Sequence, residues 1–458
     1  MAVRNEGVRF RLFPNWSGQP DKSERIAIDL PPGAVGSGPA DPWMYVVDAV
    51  GKPPYEPPRY TPPYRGPSGP PAVPDRWGHF DHIAPDDSTF MAAHLYGSAR
   101  FALGVWEKYL GRKVRWRSAN LYPRLELVPQ VAWDNAQSGA GFLETGAFRN
   151  HAGAPQPFCL NFDVIAHEIG HTILFGEIGV PPPEGLSSEF LAFHEAMADM
   201  VALVSIMHFD GVLADVLGRT HGNLYVLNML NRFGILSQTE QIRVSDNTMK
   251  MADVAGLRLG PDGAWIDPKG LRRNAHDLAA PLTGAIFDLL VDIFQDGLVL
   301  RGVIDAELDV RHWSREHNEA ELQKVGESFQ NRFAEAEPLF HDALRDARDV
   351  VGGVLAGMIE ALEPDALTFD GVARILLLSL RTVYPEGDLV YLAENFSWRG
   401  IGIGLAEQFA RPPTRRTAGA TPPYAARVAA AGALRRRADD NALNAGVLHR
   451  LINHDHRG

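Results

Sequence analysis

Two short strings constrain this chain more than any other feature: His167-Glu168-Ile169-Gly170-His171 and Glu195-Ala196-Met197-Ala198-Asp199. On a helix, positions i and i+4 share a face, so His167 and His171 can grip one metal ion together. Glu168 then stands beside that ion, placed to take a proton from a bound water. The flanks Val164-Ile165-Ala166 and Thr172-Ile173-Leu174-Phe175 are apolar and suit a buried helix. A purely structural histidine pair is the plain alternative in a chain with 16 histidines. Buried imidazoles beside a glutamate need polar partners, however, and a metal ion supplies one.

A catalytic zinc usually takes three protein ligands and leaves one position open. Glu195 follows His171 by 24 residues. Between them Gly179-Val180-Pro181-Pro182-Pro183-Glu184-Gly185 interrupts the pattern, and a return helix is predicted from about Ser187. On that helix Glu195 and Asp199 are again i and i+4. Glu195 can reach the metal, and Asp199 can accept the second ring N–H of a ligand histidine and fix its tautomer. Phe190, Phe193, Met197, Val201 and Val204 predict a largely buried helix, where unpaired carboxylates are costly; a solvated acidic stripe is the competing reading. His194 is the rival third ligand, about 100° round the helix from Glu195.

Asp163-Val164-Ile165-Ala166-His167-Glu168-Ile169-Gly170-His171, followed by Glu195-Ala196-Met197-Ala198-Asp199, resembles the thermolysin-like gluzincin zinc metallopeptidases. The segment from Ala92-Ala93-His94-Leu95-Tyr96-Gly97 to Trp106-Glu107-Lys108-Tyr109-Leu110-Gly111-Arg112 is similar to that family's first long helix. Asn135-Ala136, followed by Gly139 to Gly146, resembles its edge-strand segment. His276, just before Leu282-Thr283-Gly284-Ala285-Ile286-Phe287-Asp288-Leu289-Leu290, resembles its transition-state-stabilising histidine. The similarity runs from about Met91 to Phe294.

The resemblance implies one zinc per chain, held by His167, His171 and Glu195, with Asp199 orienting a ligand histidine. It implies that Glu168 is the general base and that His276 donates a hydrogen bond to the oxyanion. It implies that Asn135 and Ala136 bind substrate backbone, and that Val164 and Leu257 line an apolar pocket for the residue after the scissile bond. Arg258 would brace the substrate carbonyl, with Arg272 and Arg273 as competitors for that part. Two departures stand out. The family's catalytic tyrosine belongs between His171 and Glu195, and that interval has no Tyr. Asp163 matches a calcium-ligand position, but Ile206 stands where the next acidic ligand would be, so calcium is not expected.

The residues then predict a zinc-dependent metalloendopeptidase that hydrolyses peptide bonds through a zinc-bound water activated by Glu168. Peptides or proteins would be its substrates. Two other readings stay open: a catalytically impaired zinc-binding scaffold that acts through partner binding, which the missing tyrosine favours, and an aminopeptidase of the same fold. Cys159, just before the metal helix, reads as a small buried thiol rather than a switch ligand.

Composition bounds the remainder. With 458 residues, 45% of them hydrophobic, the chain can bury a large core and form two or more folding units. A net charge of −12 excludes a general nucleic-acid-binding surface. One Cys rules out an intramolecular disulfide and fits a reducing compartment. No apolar run is long enough to span a bilayer, and Met1-Ala2-Val3-Arg4-Asn5-Glu6 opens polar, unlike a signal peptide. The expectation is a cytoplasmic protein, with export by a non-classical route as the alternative. The oligomeric state is not legible.

The expected architecture is α+β, a two-part gluzincin fold: a mixed β/α N-terminal part, a mainly helical C-terminal part, and the zinc cleft between them. Residues 1–88 form a strand-poor, Pro-rich wrapping segment with a strand-like piece at Trp43–Val47. Its stretch from Lys52 to Pro74 reads either as irregular wrapping chain or as a polyproline ligand of the SH3 type. Residues 89–180 hold a helix, strands around Leu125 to Val131 and the metal helix. In 181–411, nearly everything from Ser187 to about Ala410 reads as helix. The charge-dense stretch from Asp305 to Asp349 holds His312, His317 and His341 without metal-ligand spacing. Residues 412–458 form an Ala/Arg-rich tail with Arg415-Arg416 and Arg435-Arg436-Arg437, read as a solvated or loosely docked helix.

Overall fold

The computed structural model describes residues 7–15, 22–149, 153, 155–182, 186–225, 228–235, 241–244, 248–254, 258–259, 265–266, 270, 272–273, 275–305, 319–365, 367–385 and 387–409. Within them the chain is mixed α+β. The tail from Pro412, His312 and His317 lie outside the described residues.

Strands β1 (Val8–Leu12) and β2 (Glu24–Ile28) pair antiparallel, with Val8, Phe10 and Leu12 pointing inward at a period of two. Strand β3 (Met44–Val46) joins β4 (Leu125–Val128), β5 (Ala136–Gly139) and β6 (Phe142–Thr145) in one sheet of order β3-β4-β6-β5. The pairs β3/β4 and β4/β6 are parallel, whereas β5 runs antiparallel to β6 and forms an edge. A small pair, β7 (Ala147–Arg149) and β8 (Pro155–Pro157), leads toward the helix that carries His167 and His171.

The chain between β3 and β4 follows an irregular path before entering a long helix. Within Lys52–Pro74, Tyr55 and Lys52 are buried, and backbone bridges join Ala49 to Ser68 and Glu56 to Tyr60. Helix α1 (Phe90–Tyr109) then lies against β1, β2, β3 and β4 on one side and the helical layer on the other.

Helix α2 (Phe162–Glu177) buries Phe162, Ile165, Ala166, Ile169 and Ile173, the stripe that a 3.6-residue period places on one face. Its other face carries the histidines. Helix α3 (Ser188–Ile206) begins where Ser187 Oγ accepts from Phe190 N at 3.0 Å, a side-chain N-cap. Every α3 residue from Phe190 onward is buried, so α3 is the axis of the molecule, packed by α1, α2 and helix α6 (Ala275–Leu300). Helix α4 (Asp210–Thr220) follows.

Beyond α6 come α7 (Glu319–Ala361), α8 (Phe369–Val383), α9 (Leu389–Trp398) and α10 (Leu405–Phe409). Helix α7 leaves helical geometry at Ala336, two residues before Pro338, because the proline lacks an N–H for the i−4 hydrogen bond and its ring clashes with the carbonyl one turn back. The acidic side chains Asp288, Asp292 and Asp296 recur every four residues along α6. They meet Arg399, Asn395 and Tyr384 from the α8–α9 layer.

One expectation needs correction. The stretch from Ser187 to Ala410 is not nearly all helix. Strands β9 (Arg232–Ile235), β10 (Gln241–Val244), β11 (Arg258–Leu259), β12 (Trp265–Ile266) and β13 (Arg272–Arg273) stand in it, with a one-turn helix α5 (Met251–Val254) among them. The reason is local: Arg-Phe-Gly-Ile and Gln-Ile-Arg-Val alternate at a period of two and are too short to nucleate a helix. Among the described residues, no single helix is long and apolar enough to cross a membrane.

Candidate metal centre

The site forms where α2 and α3 cross. His167 Nε2 lies 3.1 Å from His171 Nε2 and 3.4 Å from Glu195 Oε2, and His171 Nε2 lies 3.7 Å from Glu195 Oε1. Bonds of about 2.0–2.1 Å at tetrahedral angles would set neighbouring ligand atoms about 3.3 Å apart, so the three donors fit zinc. Among the described residues this is the one group of three or more His, Cys, Asp or Glu side chains whose donor atoms converge in this way.

The electrostatics suit the same task. Burial holds His171 well below the ordinary histidine range and therefore neutral, which leaves its ring a lone pair to donate. Burial alone would raise the Glu195 carboxyl, but His276, 2.9 Å from its Oε2, outweighs it and holds that carboxyl well below the usual range. A metal site needs these two states, neutral imidazole and ionised carboxylate.

Asp199, one helical turn beyond Glu195, reaches the other ring nitrogen of His167. His167 Nδ1 lies 2.8 Å from Asp199 Oδ1. A proton on Nδ1 donated to Asp199 leaves Nε2 unprotonated and aimed at the cluster. His171 differs, because its Nδ1 is buried without a hydrogen-bond partner.

His194, the rival ligand, is not brought into the cluster. It is fully buried, stacked against Phe175 at 4.7 Å between ring centroids and against His171 at 6.0 Å. Burial lowers its pKa to about 3. The step of one residue turns its side chain away from the face that Glu195 and Asp199 share.

The remaining predicted residues are distributed around this centre. Glu168 and His167 are each 8% exposed, the most accessible of the motif. His276 lies in the first turn of α6, with Nδ1 2.9 Å from Glu195 Oε2. Val164 is half-buried at the start of α2. Ala136 opens β5, the edge strand, which packs against α2, and Asn135 immediately precedes it. Asn135 Oδ1 accepts from Ala136 N at 2.8 Å, while its Nδ2 is buried without a hydrogen-bond partner. Leu257 lies outside the described residues. Arg258, Arg272 and Arg273 lie in β11 and β13, and their side chains are outside the description. Asp163 is buried in the first turn of α2.

Cys159 is fully buried, and burial pushes its thiol up to about 12, so it is an inert core group. Two features escaped the sequence. Strand β9, which opens on Arg232, packs against α2. Lys52 of the proline-rich segment is buried beneath β5 and β6. The short alternation of β9 does not tell what it packs against, and nothing near Lys52 signals burial, because both contacts depend on distant chain segments meeting.

No family model matches the chain, and no curated protein matches it.

Proposed function

We propose that this chain is a zinc metallopeptidase of the thermolysin-like gluzincin type, with one zinc held by His167, His171 and Glu195. The observation that carries the reading is the convergence of those three donors at tetrahedral spacing, with Asp199 on the outer nitrogen of His167. The antiparallel edge strand beside α2 and the histidine in the first turn of α6 support the finer, two-part gluzincin fold.

Zinc, when bound, polarises a peptide carbonyl and lowers the pKa of a water toward neutrality. The chain's own residues do the rest. Glu168 takes the proton of the attacking water and passes it to the leaving amine, so hydrolysis needs no covalent intermediate. His276 donates a hydrogen bond to the oxygen on which charge develops, which speeds the step because the charge exists only in the transition state. Asn135 and Ala136 hold the extended substrate backbone along β5. Val164 offers an apolar surface to the residue after the cut.

The test is zinc content together with cleavage of a diverse peptide library by wild type, His167→Ala, Glu195→Ala and Glu168→Gln. About one zinc in wild type and in Glu168→Gln, lost in the other two, with cleavage by wild type alone, supports the reading. Cleavage by Glu168→Gln at the wild-type rate would overturn the mechanism. One zinc with no cleavage by wild type would favour the scaffold reading, which the absence of a tyrosine between His171 and Glu195 already gives some footing.

A further inference from the structure

The proline-rich segment carries a charge into the interior. Lys52 is 1% exposed, and its Nζ meets Glu144 Oε2 on β6 with both side chains shut off from water. Nζ also donates to Pro53 O at 3.1 Å and lies 3.2 Å from the centroid of the Tyr55 ring. Glu144 Oε1 accepts from Tyr55 N at 2.7 Å and from Gln137 Nε2 at 2.5 Å. Gln137 Nε2 bonds Tyr55 O as well, at 3.2 Å. One strand away, the buried Glu126 accepts from Tyr55 Oη at 2.5 Å and from Tyr45 Oη at 2.7 Å.

A wholly buried ion pair is a poor way to gain stability. Removing both charges from water costs about as much as their attraction returns, and apolar packing does as well. What such a pair does provide is a defined geometry. Here that geometry ends on β5. Gln137 stands opposite Glu144 in the β5/β6 register, two residues after Asn135. Within its sheet β5 is bonded to β6 alone, so half of its backbone groups lack a ladder to hold them. The wrapping segment compensates twice: through Gln137, and through Ala132 N, which donates to Lys52 O at 3.0 Å just ahead of Asn135.

We propose that Lys52 is a positioning residue: through Glu144 and Gln137 it sets how β5, and with it Asn135 and Ala136, lies along the metal helix. The consequence for substrate rests on the peptidase reading; the ordering of β5 does not.

The test uses the full zinc-loaded chain, with the double variant Lys52→Met/Glu144→Gln, which leaves no orphaned charge, and separately Gln137→Leu, which cuts the link and spares the ion pair. Hydrogen exchange is followed in peptides covering β5 and β4, beside zinc content and steady-state kinetics. The expected result is exchange about tenfold faster in β5 with β4 unchanged. With it, KM rises about tenfold, kcat stays within about threefold, and one zinc is retained. A merely structural role would loosen β4 and β5 together and leave KM alone. That outcome, or unchanged β5 exchange in Gln137→Leu, overturns the proposal. Should wild type cleave no peptide, the peptidase reading fails by itself and β5 exchange alone decides the role of Lys52. Should the double variant fail to fold, Gln137→Leu decides it.

Discussion

Gly170 on α2 lies directly against Ala198 on α3: a Cβ at Gly170 would stand 3.0 Å from Ala198 Cα and 3.1 Å from Val201 Cβ. Gly170 sits between His167 and His171 in sequence, and Ala198 sits between Glu195 and Asp199. The helices therefore touch at the level of the clustered donor atoms. Gly170→Val would force them apart, at about 1–3 kcal/mol for the overpacking. It would also draw Glu195 away from the histidines. Thermal melts with and without zinc, beside a competition titration, should show lower stability and weaker zinc binding together. Unchanged zinc affinity would mean that the close approach does not set the ligand spacing.

Asp199 makes the contact that assigns the His167 tautomer, at 2.8 Å. Asp199→Ala should weaken zinc binding by about 10–100-fold while the protein stays folded. Asp199→Asn should lose less, because its amide oxygen can still accept the Nδ1 proton. Equal affinity in wild type and Asp199→Ala would remove the orienting role.

His276 has two readings that one variant separates. If it stabilises the oxyanion, His276→Ala should keep one zinc and lose about 10²–10³-fold in kcat. If its contact with Glu195 is what counts, zinc affinity should fall and activity per bound zinc should not. Zinc content and kcat measured on the same preparation decide between them.

His94 sets a pH limit far from the metal. It is fully buried on α1, where Nδ1–H donates to Cys159 O at 2.7 Å and Nε2 accepts from Phe13 N at 2.8 Å. Burial lowers its pKa to about 4. The folded state therefore resists a proton that the unfolded state takes up near the ordinary histidine value. Stability from this group is full above about pH 6.5 and is lost as pH falls toward 4, by roughly 2–3 kcal/mol at pH 4.5. His94→Gln should shrink the difference in urea midpoint between pH 7 and pH 4.5. An undiminished difference would assign the acid sensitivity to other groups, such as His208, whose pKa burial also lowers, to about 3.

The donors of the centre were legible because the signals are local. An i, i+4 pair lies on one face of any helix, and Pro181-Pro182 with the flanking glycines announces the return between the two helices. Glu195 was separable from His194 on angle alone, and the structure keeps the two on different faces. Asn135 and Ala136 could be set on an edge strand only by resemblance. The strands between Arg232 and Arg273 were missed because a few alternating residues hardly compete with the helical pattern around them. Lys52 read as the start of a proline-rich stretch, and nothing near it in sequence hints at burial.

By itself, then, the sequence determined residue chemistry and short-range geometry: two imidazoles on one turn spacing, two carboxylates on another, and an apolar stripe behind each. Tertiary structure decided everything that needs distant segments to meet. It brought Glu195 to within 4 Å of both histidines, placed β5 beside α2, and pinned Lys52 to Glu144 across 92 residues. The physical reason is that backbone periodicity is settled within a few residues, whereas long-range contacts are settled by which buried faces pack together, and packing is a property of the whole chain.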